Sequence, residues 1–275
     1  MKKTLVKSIL LAIFGMMVVQ NVNAQKISAG EEVATNIGPG LKVNDYFYYE
    51  NILYQVATVV ANDNYEAKAV AFFGESLPAE IEIIGGGQAN NCTFTVTEIE
   101  ALKSVKTMSG TSYVAGDAAA LDAITTLIFV KEDGFGGFAG TIGAEAFANL
   151  DNLEYIYTEL TTPPTADEDA FTELDYDNIT LTVPADAHGQ AAGKYITATG
   201  WDVFYQLFLD GDSVYPFGDV NKDKKVNQSD VKALSNAVGE EEYDDINPIF
   251  DFNGDGKSFP NQSDVKALRN LVSNF

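Results

Sequence analysis

Between Tyr46 and Ile99, short apolar runs alternate with polar residues and stop at turn-forming clusters. Residues 46–49, 52–60, 67–73, 81–84 and 93–99 carry the β-branched and aromatic side chains of strands, and Asn62-Asp63-Asn64 and Gly85-Gly86-Gly87 break them. This pattern predicts a β-rich meander. Farther on a longer period takes over: Ile142-Gly143-Ala144-Glu145-Ala146-Phe147 leads to Leu150, Leu153 and Ile156, and Asp169-Ala170-Phe171 leads to Leu174, Ile179, Leu181 and Val183. From Ala146 to Ala170 the shift is 24 residues, within the range of leucine-rich repeats, whose units bury their apolar side only by stacking. Between residues 101 and 140 the repeat blurs and a Gly-rich insert intervenes, so the predicted solenoid is short and irregular. In the last quarter the apolar period becomes helical. Val231, Leu234 and Val238, and again Val265, Leu268 and Val272, fall three and then four residues apart, each set on one helical face.

The amino terminus stands apart from this patterning. Lys2 and Lys3 precede an apolar stretch at 8–19 that is short for a membrane helix, and Val22-Asn23-Ala24 before Gln25 has the small residues a signal peptidase requires. Residues 1–24 are therefore expected to be a cleaved secretory signal, with no membrane insertion after cleavage and a secreted or cell-surface product. Cys92 is the only cysteine, so an intramolecular disulfide is excluded, and its place in an alternating run predicts a buried, inert thiol.

Charge narrows the partners. With 17 Lys plus Arg against 40 Asp plus Glu, the net charge is −23, which excludes nucleic acid and anionic lipid as bulk-charge partners. Residues 25–217 hold 7 Lys against 29 acids, whereas 218–275 hold 7 basic and 11 acidic residues, so two differently built modules are expected. Catalytic chemistry finds little support. His188 is the single histidine, which excludes a two-histidine metal site, and it sits in a sequence that reads as a surface turn. Gly134-Phe135-Gly136-Gly137-Phe138-Ala139 satisfies the G-x-G-x-x-A spacing but lacks a following helix, and reads as a flexible loop rather than a dinucleotide turn.

The informative chemistry begins at Gly218. Asp219, Asn221, Asp223, Asn227 and Asp230 occupy positions 1, 3, 5, 9 and 12 of an EF-hand-type loop, and the carbonyl of Lys225 occupies position 7. Hard Ca²⁺ needs many oxygen ligands and tolerates irregular geometry. The pattern recurs as Asp251, Asn253, Asp255, the carbonyl of Lys257, Asn261 and Asp264, and Asn261 to Leu268 repeats Asn227 to Leu234 residue for residue. Two departures set the halves apart. Lys224 stands at position 6, where glycine usually takes a positive φ, at a cost of about 1 kcal/mol. In the second loop Ser258-Phe259-Pro260 replaces Val226, making it two residues longer.

Both modules resemble known families. The Tyr-rich segment from Asp45 to Val56, Leu77-Pro78-Ala79-Glu80-Ile81, the two Ala-Phe units, Thr161-Thr162-Pro163-Pro164-Thr165, Asn178 to Pro184 and Gly200-Trp201 resemble the BspA-like leucine-rich repeat proteins of bacterial surfaces, over about residues 41–208. Gly218 to Phe275, a loop and a helix twice over with Pro216 and Asn247-Pro248 where entering helices would lie, is similar to the type I dockerin family. That resemblance implies two Ca²⁺ ions, a cohesin-like partner, and recognition through Gln228 and Ser229 with their duplicates Gln262 and Ser263, in a pseudo-twofold module able to dock either way round.

The expected fold is multidomain: signal peptide at 1–24, a β-rich irregular leucine-rich-repeat solenoid at 25–215, and a small α-helical dockerin-like domain with two EF-hand-type calcium loops at 216–275. The expected function is non-catalytic adhesion or display, with a host or matrix protein or a polysaccharide as the ligand of the repeats, and with Ca-dependent attachment to an extracellular assembly. Two alternatives remain open: a component, enzymatic or not, of a polysaccharide-degrading complex, and a protein whose Ca²⁺ sites are purely structural.

Overall fold

The computed structural model describes residues 34–273 apart from 62, 110–111, 133–134, 187, 205, 212–215 and 241–248. The expected signal peptide and the Asn247-Pro248 turn lie outside the described residues, as do Asp133 and Gly134 of the Gly-rich insert.

Three antiparallel strands open the fold: β1 (Tyr46–Tyr49), β2 (Ile52–Ala61) and β3 (Asn64–Phe73), with Tyr46 opposite Gln55 and Tyr49 opposite Ile52. Alternation along β1 divides its aromatics between two faces. Phe47 and Tyr49 turn toward Phe94, at ring-centroid distances of 5.1 and 5.2 Å, whereas Tyr46 and Tyr48 cover Leu53, Ala71 and Val105 on the other side. The meander ends there. The next strand, β4 (Glu80–Ile83), leaves for a second sheet, and β3 pairs in parallel with the long β6 (Cys92–Ser109), which also carries the antiparallel partners β5 (Gly86–Ala89) and β7 (Ser112–Ala115). The predicted strand at 93–99 is thus ten residues too short at its C-terminal end. Cys92 begins β6 as a buried free thiol, and burial raises its pKa.

The second sheet is all parallel and in register. Its order is β15 (Gln206–Leu209), β14 (Thr180–Val183), β12 (Tyr155–Thr158), β8 (Thr126–Phe129), β4, and neighbouring strands begin at Thr126, Tyr155, Thr180 and Gln206, steps of 29, 25 and 26 residues. Pairing aligns Ile81, Leu127, Ile156, Leu181 and Leu207 into one buried row, and Ile83, Phe129, Thr158, Val183 and Leu209 into another. On the far side of the coil the two-residue strands β11 (Thr141–Ile142) and β13 (Thr165–Ala166) extend the ladder of Glu98 and Ile99. These stacked rungs make a solenoid-like β-rich region. The stretch where the repeat blurs holds a full rung, β8, preceded by a 3-10 turn at Ala118–Ala123 that Asp117 caps. The Gly-rich insert folds as a hairpin of β9 (Lys131–Glu132) and β10 (Gly136–Gly137), not as an open loop and not as a strand-to-helix turn.

Aromatic rings close the coil. Phe147 and Phe171, the repeat residues, stack at 5.3 Å, and Phe171 touches Trp201 and Phe204, each at 5.0 Å. Trp201 Nε1 donates to the Pro164 carbonyl at 2.9 Å, which satisfies the one polar atom of the buried indole. Helix α1 (Gln190–Ile196) then places Tyr195 in the core, where its hydroxyl donates to the Leu160 carbonyl at 3.1 Å. Asp186 supplies the missing partners at the start of this helix. Its carboxylate accepts the N–H groups of His188, Gly189, Gln190 and Ala191 at 3.1, 2.6, 2.8 and 2.7 Å. Burial raises its pKa and the four amide bonds lower it, and the net position is below the usual carboxylate range.

Candidate metal centre

Two helices follow the two oxygen-rich loops: α2 (Gln228–Glu240) and α3 (Gln262–Ser273). Each begins where an Asn side chain takes over from the loop. Asn227 Oδ1 accepts the Ser229 N–H and Asn261 Oδ1 accepts the Ser263 N–H, both at 2.8 Å, as N-caps. Three residues on, the Asp closes a capping box: the Asn227 N–H donates to Asp230 Oδ2 and the Asn261 N–H to Asp264 Oδ2, both at 2.9 Å. The helices pack on one another, with Val231, Leu234 and Ala237 buried on α2 and Val265, Leu268, Leu271 and Val272 buried on α3. Ala237 fills the place that helical spacing gave to Val238, which is half-buried.

The loops fold alike. Asp223 and Asp255 direct their N–H groups to Asp219 Oδ1 and Asp251 Oδ1, at 3.0 and 2.9 Å, and Lys224 and Gly256 donate to the second oxygen of the same carboxylates at 2.7 Å. Asn221 Oδ1 accepts the Asp223 N–H and Asn253 Oδ1 the Asp255 N–H, each at 3.0 Å. To turn this tightly, positions 4 and 6 take positive φ in both copies: Lys222 at 62° and Lys224 at 68°, Gly254 at 67° and Gly256 at 75°. The strain expected at Lys224 is therefore present, and Lys222 adds a second instance that spacing alone missed.

Electrostatics gives the loops their character. Asp219, Asp230, Asp251 and Asp264 have relative exposures of 1, 0, 1 and 1%, so each loop buries two carboxylates. Burial pushes the carboxyls of Asp230 and Asp264 above their ordinary range. Amide hydrogen bonds pull the other way, and the neighbouring Asp219, or Asp251 and Asp255, push with burial. Amides compensate such charges only in part, and a bound divalent cation would complete the balance. At the open side of the second loop Lys257 Nζ reaches Asp255 Oδ2 at 2.6 Å, a hydrogen bond that lowers the Asp255 pKa.

Among the described residues no three His, Cys, Asp or Glu side chains form a group able to hold a metal ion by themselves. An ion would draw on a mixed set. Asp219, Asn221, Asp223 and Asp230 in one loop, and Asp251, Asn253, Asp255 and Asp264 in the other, supply side-chain oxygens, and Lys225 and Lys257 supply carbonyls. That all-oxygen chemistry suits Ca²⁺. The side-chain oxygens of Asn227 and Asn261 are engaged as helix caps. Gln228, Ser229, Gln262 and Ser263 are all exposed at the helix starts, and the Ser229 hydroxyl joins Asn221 to Asn227 at 2.9 Å on each side.

The second loop lies against α1. The His188 carbonyl accepts the Phe250 and Asp251 N–H groups at 3.0 and 2.9 Å, and its ring stacks on Phe250 at 4.9 Å, so His188 belongs to a joint and not to an open surface turn.

A duplicated oxygen-rich loop, each copy running into a capped helix, is the plan of a calcium-dependent docking module. Residues 217–273 match the family model of the dockerin type I domain, and no curated protein and no solved structure matches the chain. Dockerin domains bind Ca²⁺ and dock on cohesin modules, attaching the protein that carries them to an assembly. Among the described residues no helix is long and apolar enough to cross a membrane.

Proposed function

We propose that the chain is an exported, non-catalytic display or adhesion protein, in which a BspA-like repeat body presents a binding face and the C-terminal module attaches it to an extracellular assembly through two Ca²⁺ ions and a cohesin-like partner. The observation that carries this reading is the duplicated loop and helix at 217–273, matched to the dockerin type I domain and burying two carboxylates per loop. Rungs of 25 to 29 residues, the stacked Phe147 and Phe171 and the Trp201 closure support the leucine-rich-repeat reading of the body. Its outer sheet face lines up Glu82, Ile128, Tyr157, Thr182 and Phe208, a mixed polar and aromatic row suited to contact with a protein or a polysaccharide.

The test is calorimetric. The full chain is titrated with recombinant cohesin modules encoded by the same organism, in millimolar Ca²⁺ and in chelator. Binding in Ca²⁺ that chelator abolishes supports the reading, and heat that is indifferent to chelator, or absent for every cohesin, overturns it. Hydrolysis of any member of a polysaccharide and peptide panel would move the protein to the enzymatic side of such assemblies.

A further inference from the structure

The two calcium loops share a backbone but not a neighbourhood. Positions 4 and 6 have positive φ in both, and in the first loop exposed lysines, Lys222 and Lys224, adopt it. Backbone conformation therefore does not by itself demand glycine at these positions. Gly254 and Gly256 meet a different requirement. A Cβ at Gly254 would lie 2.8 Å from the Lys194 nitrogen and 2.7 Å from Lys194 Cγ, and one at Gly256 would lie 2.5 Å from Gln190 Nε2. From the other side, a Cβ at Gly193 would run into the Asp251 carbonyl oxygen, and one at Gly189 would lie 2.6 Å from Ile249 Cγ2. At Gly193 and Gly254 helix and loop meet backbone to backbone, whereas at Gly189 and Gly256 the neighbours are side-chain atoms of Ile249 and Gln190. Across that joint Asp251, the first residue of the loop, is held by its N–H on the His188 carbonyl and by its own carbonyl against Gly193, while Gln190 Nε2 donates to the Gly254 carbonyl at 3.4 Å.

We infer that the second calcium loop is a composite site, with its outer wall supplied by α1 of the repeat body, Gly193 as the positioning residue for Asp251 and Gln190 as the positioning residue for the Gly254–Gly256 turn. The inference rests on the calcium reading above. A cation that draws Asp251 and Asp264 together fixes the backbone on which α1 sits, and by linkage α1 must raise the affinity of that loop for the cation by the same factor. Among the described residues the first loop has no such wall: Lys222 and Lys224, at the positions of Gly254 and Gly256, are exposed.

Ca²⁺ alone serves as the probe, on the full chain. Trp201 is the only tryptophan and lies 5.0 Å from Tyr195 of α1, so its emission reports on the body beside the joint. Added Ca²⁺ is expected to raise the unfolding midpoint followed at Trp201, in wild type and in Asp219→Ala, and to leave it unmoved in Asp251→Ala. In an Asp219→Ala background, where calorimetry sees the second loop alone, Gly193→Ala is expected to weaken Ca²⁺ binding about tenfold or more although every loop oxygen remains. Gln190→Ala, which creates no clash, is expected to weaken it in the same direction. Two ions bound with a Trp201 midpoint indifferent to Ca²⁺, or unchanged affinity in both joint variants, overturns the composite site and leaves the calcium reading standing. Absence of any heat of binding in wild type overturns both.

Discussion

Asn227 and Asp230 bond reciprocally at the start of α2: the Asn227 N–H donates to Asp230 Oδ2 at 2.9 Å and the Asp230 N–H to the Asn227 carbonyl at 3.0 Å. The other oxygen of Asp230 accepts the Val220 N–H at 2.9 Å, so one carboxylate joins the two ends of the loop. Removing its charge should matter far more with metal than without. In chelator, Asp230→Asn is expected to change helical stability little, because the loss of a buried charge is offset by a backbone N–H that now faces the new NH2 group. At Ca²⁺ near 100 times Kd it should forfeit about 2.7 kcal/mol, the contribution of one filled site. Chemical denaturation in both states measures this, and a loss of stability in chelator as large as that in Ca²⁺ would refute it.

Acidification provides a second test. The folded module holds Asp230 and Asp264 above the unfolded carboxylate value of about 3.9, so the stability of the metal-free form is greatest below that value and is lost as pH rises through the raised folded values. In chelator the midpoint of helical melting should therefore climb as pH falls from neutral toward the ordinary carboxylate value of about 3.9. Over the same interval the increment added by Ca²⁺ should shrink, since protons compete for the ligands. Asp186 works the other way. Its folded value is depressed, so its support for α1 is present above about 3.9 and is lost only in stronger acid, outside this window.

Backbone strain is the most local prediction. Lys222 and Lys224 hold left-handed conformations with φ of 62° and 68°. Lys224→Gly relieves roughly 1 kcal/mol and gives part of it back through the freer unfolded chain, so a net gain of up to about 1 kcal/mol in the Ca²⁺-loaded module is expected from denaturant midpoints. Gly254→Lys should instead destabilise by more than that, because a Cβ there meets the Lys194 backbone nitrogen at 2.8 Å.

The body should fail at its aromatic column. Phe171, in ring contact with Phe147, Trp201 and Phe204, is 1% exposed, and Phe171→Ala should cost about 3–5 kcal/mol through the cavity it opens. Thermal unfolding followed at Trp201 measures the loss. A shift under about 1 kcal/mol would mean that the column does not hold the repeats together.

What the sequence disclosed follows from how local each signal is. Loop oxygens at fixed offsets and apolar residues three and four apart need only neighbouring positions, so both loops and both helices were legible from Asp219 and Val231 onward. Phe147 and Phe171 were legible as repeats because each stacks on its own copy. The rung at Thr126–Phe129 was not, because the turn before it is built from Ala118–Ala123 instead of an Ala-Phe pair. Least legible was the joint. Gly193 and Gly254 mark places where another backbone comes close, and a missing side chain does not say which backbone. Asp186 reads as a loop acid until α1 stands over it with four unpartnered amides.

The backbone joint at Gly193 has a geometric consequence. A docking module on a slack linker would let its cargo swing freely, whereas one held at the base of α1 transmits its own orientation to every rung of the coil. The Gln228 and Gln262 halves would then cease to be interchangeable as seen from the sheet. A partner that gripped one half or the other would aim the Tyr157 row in two opposed directions, making the choice of half a choice of heading.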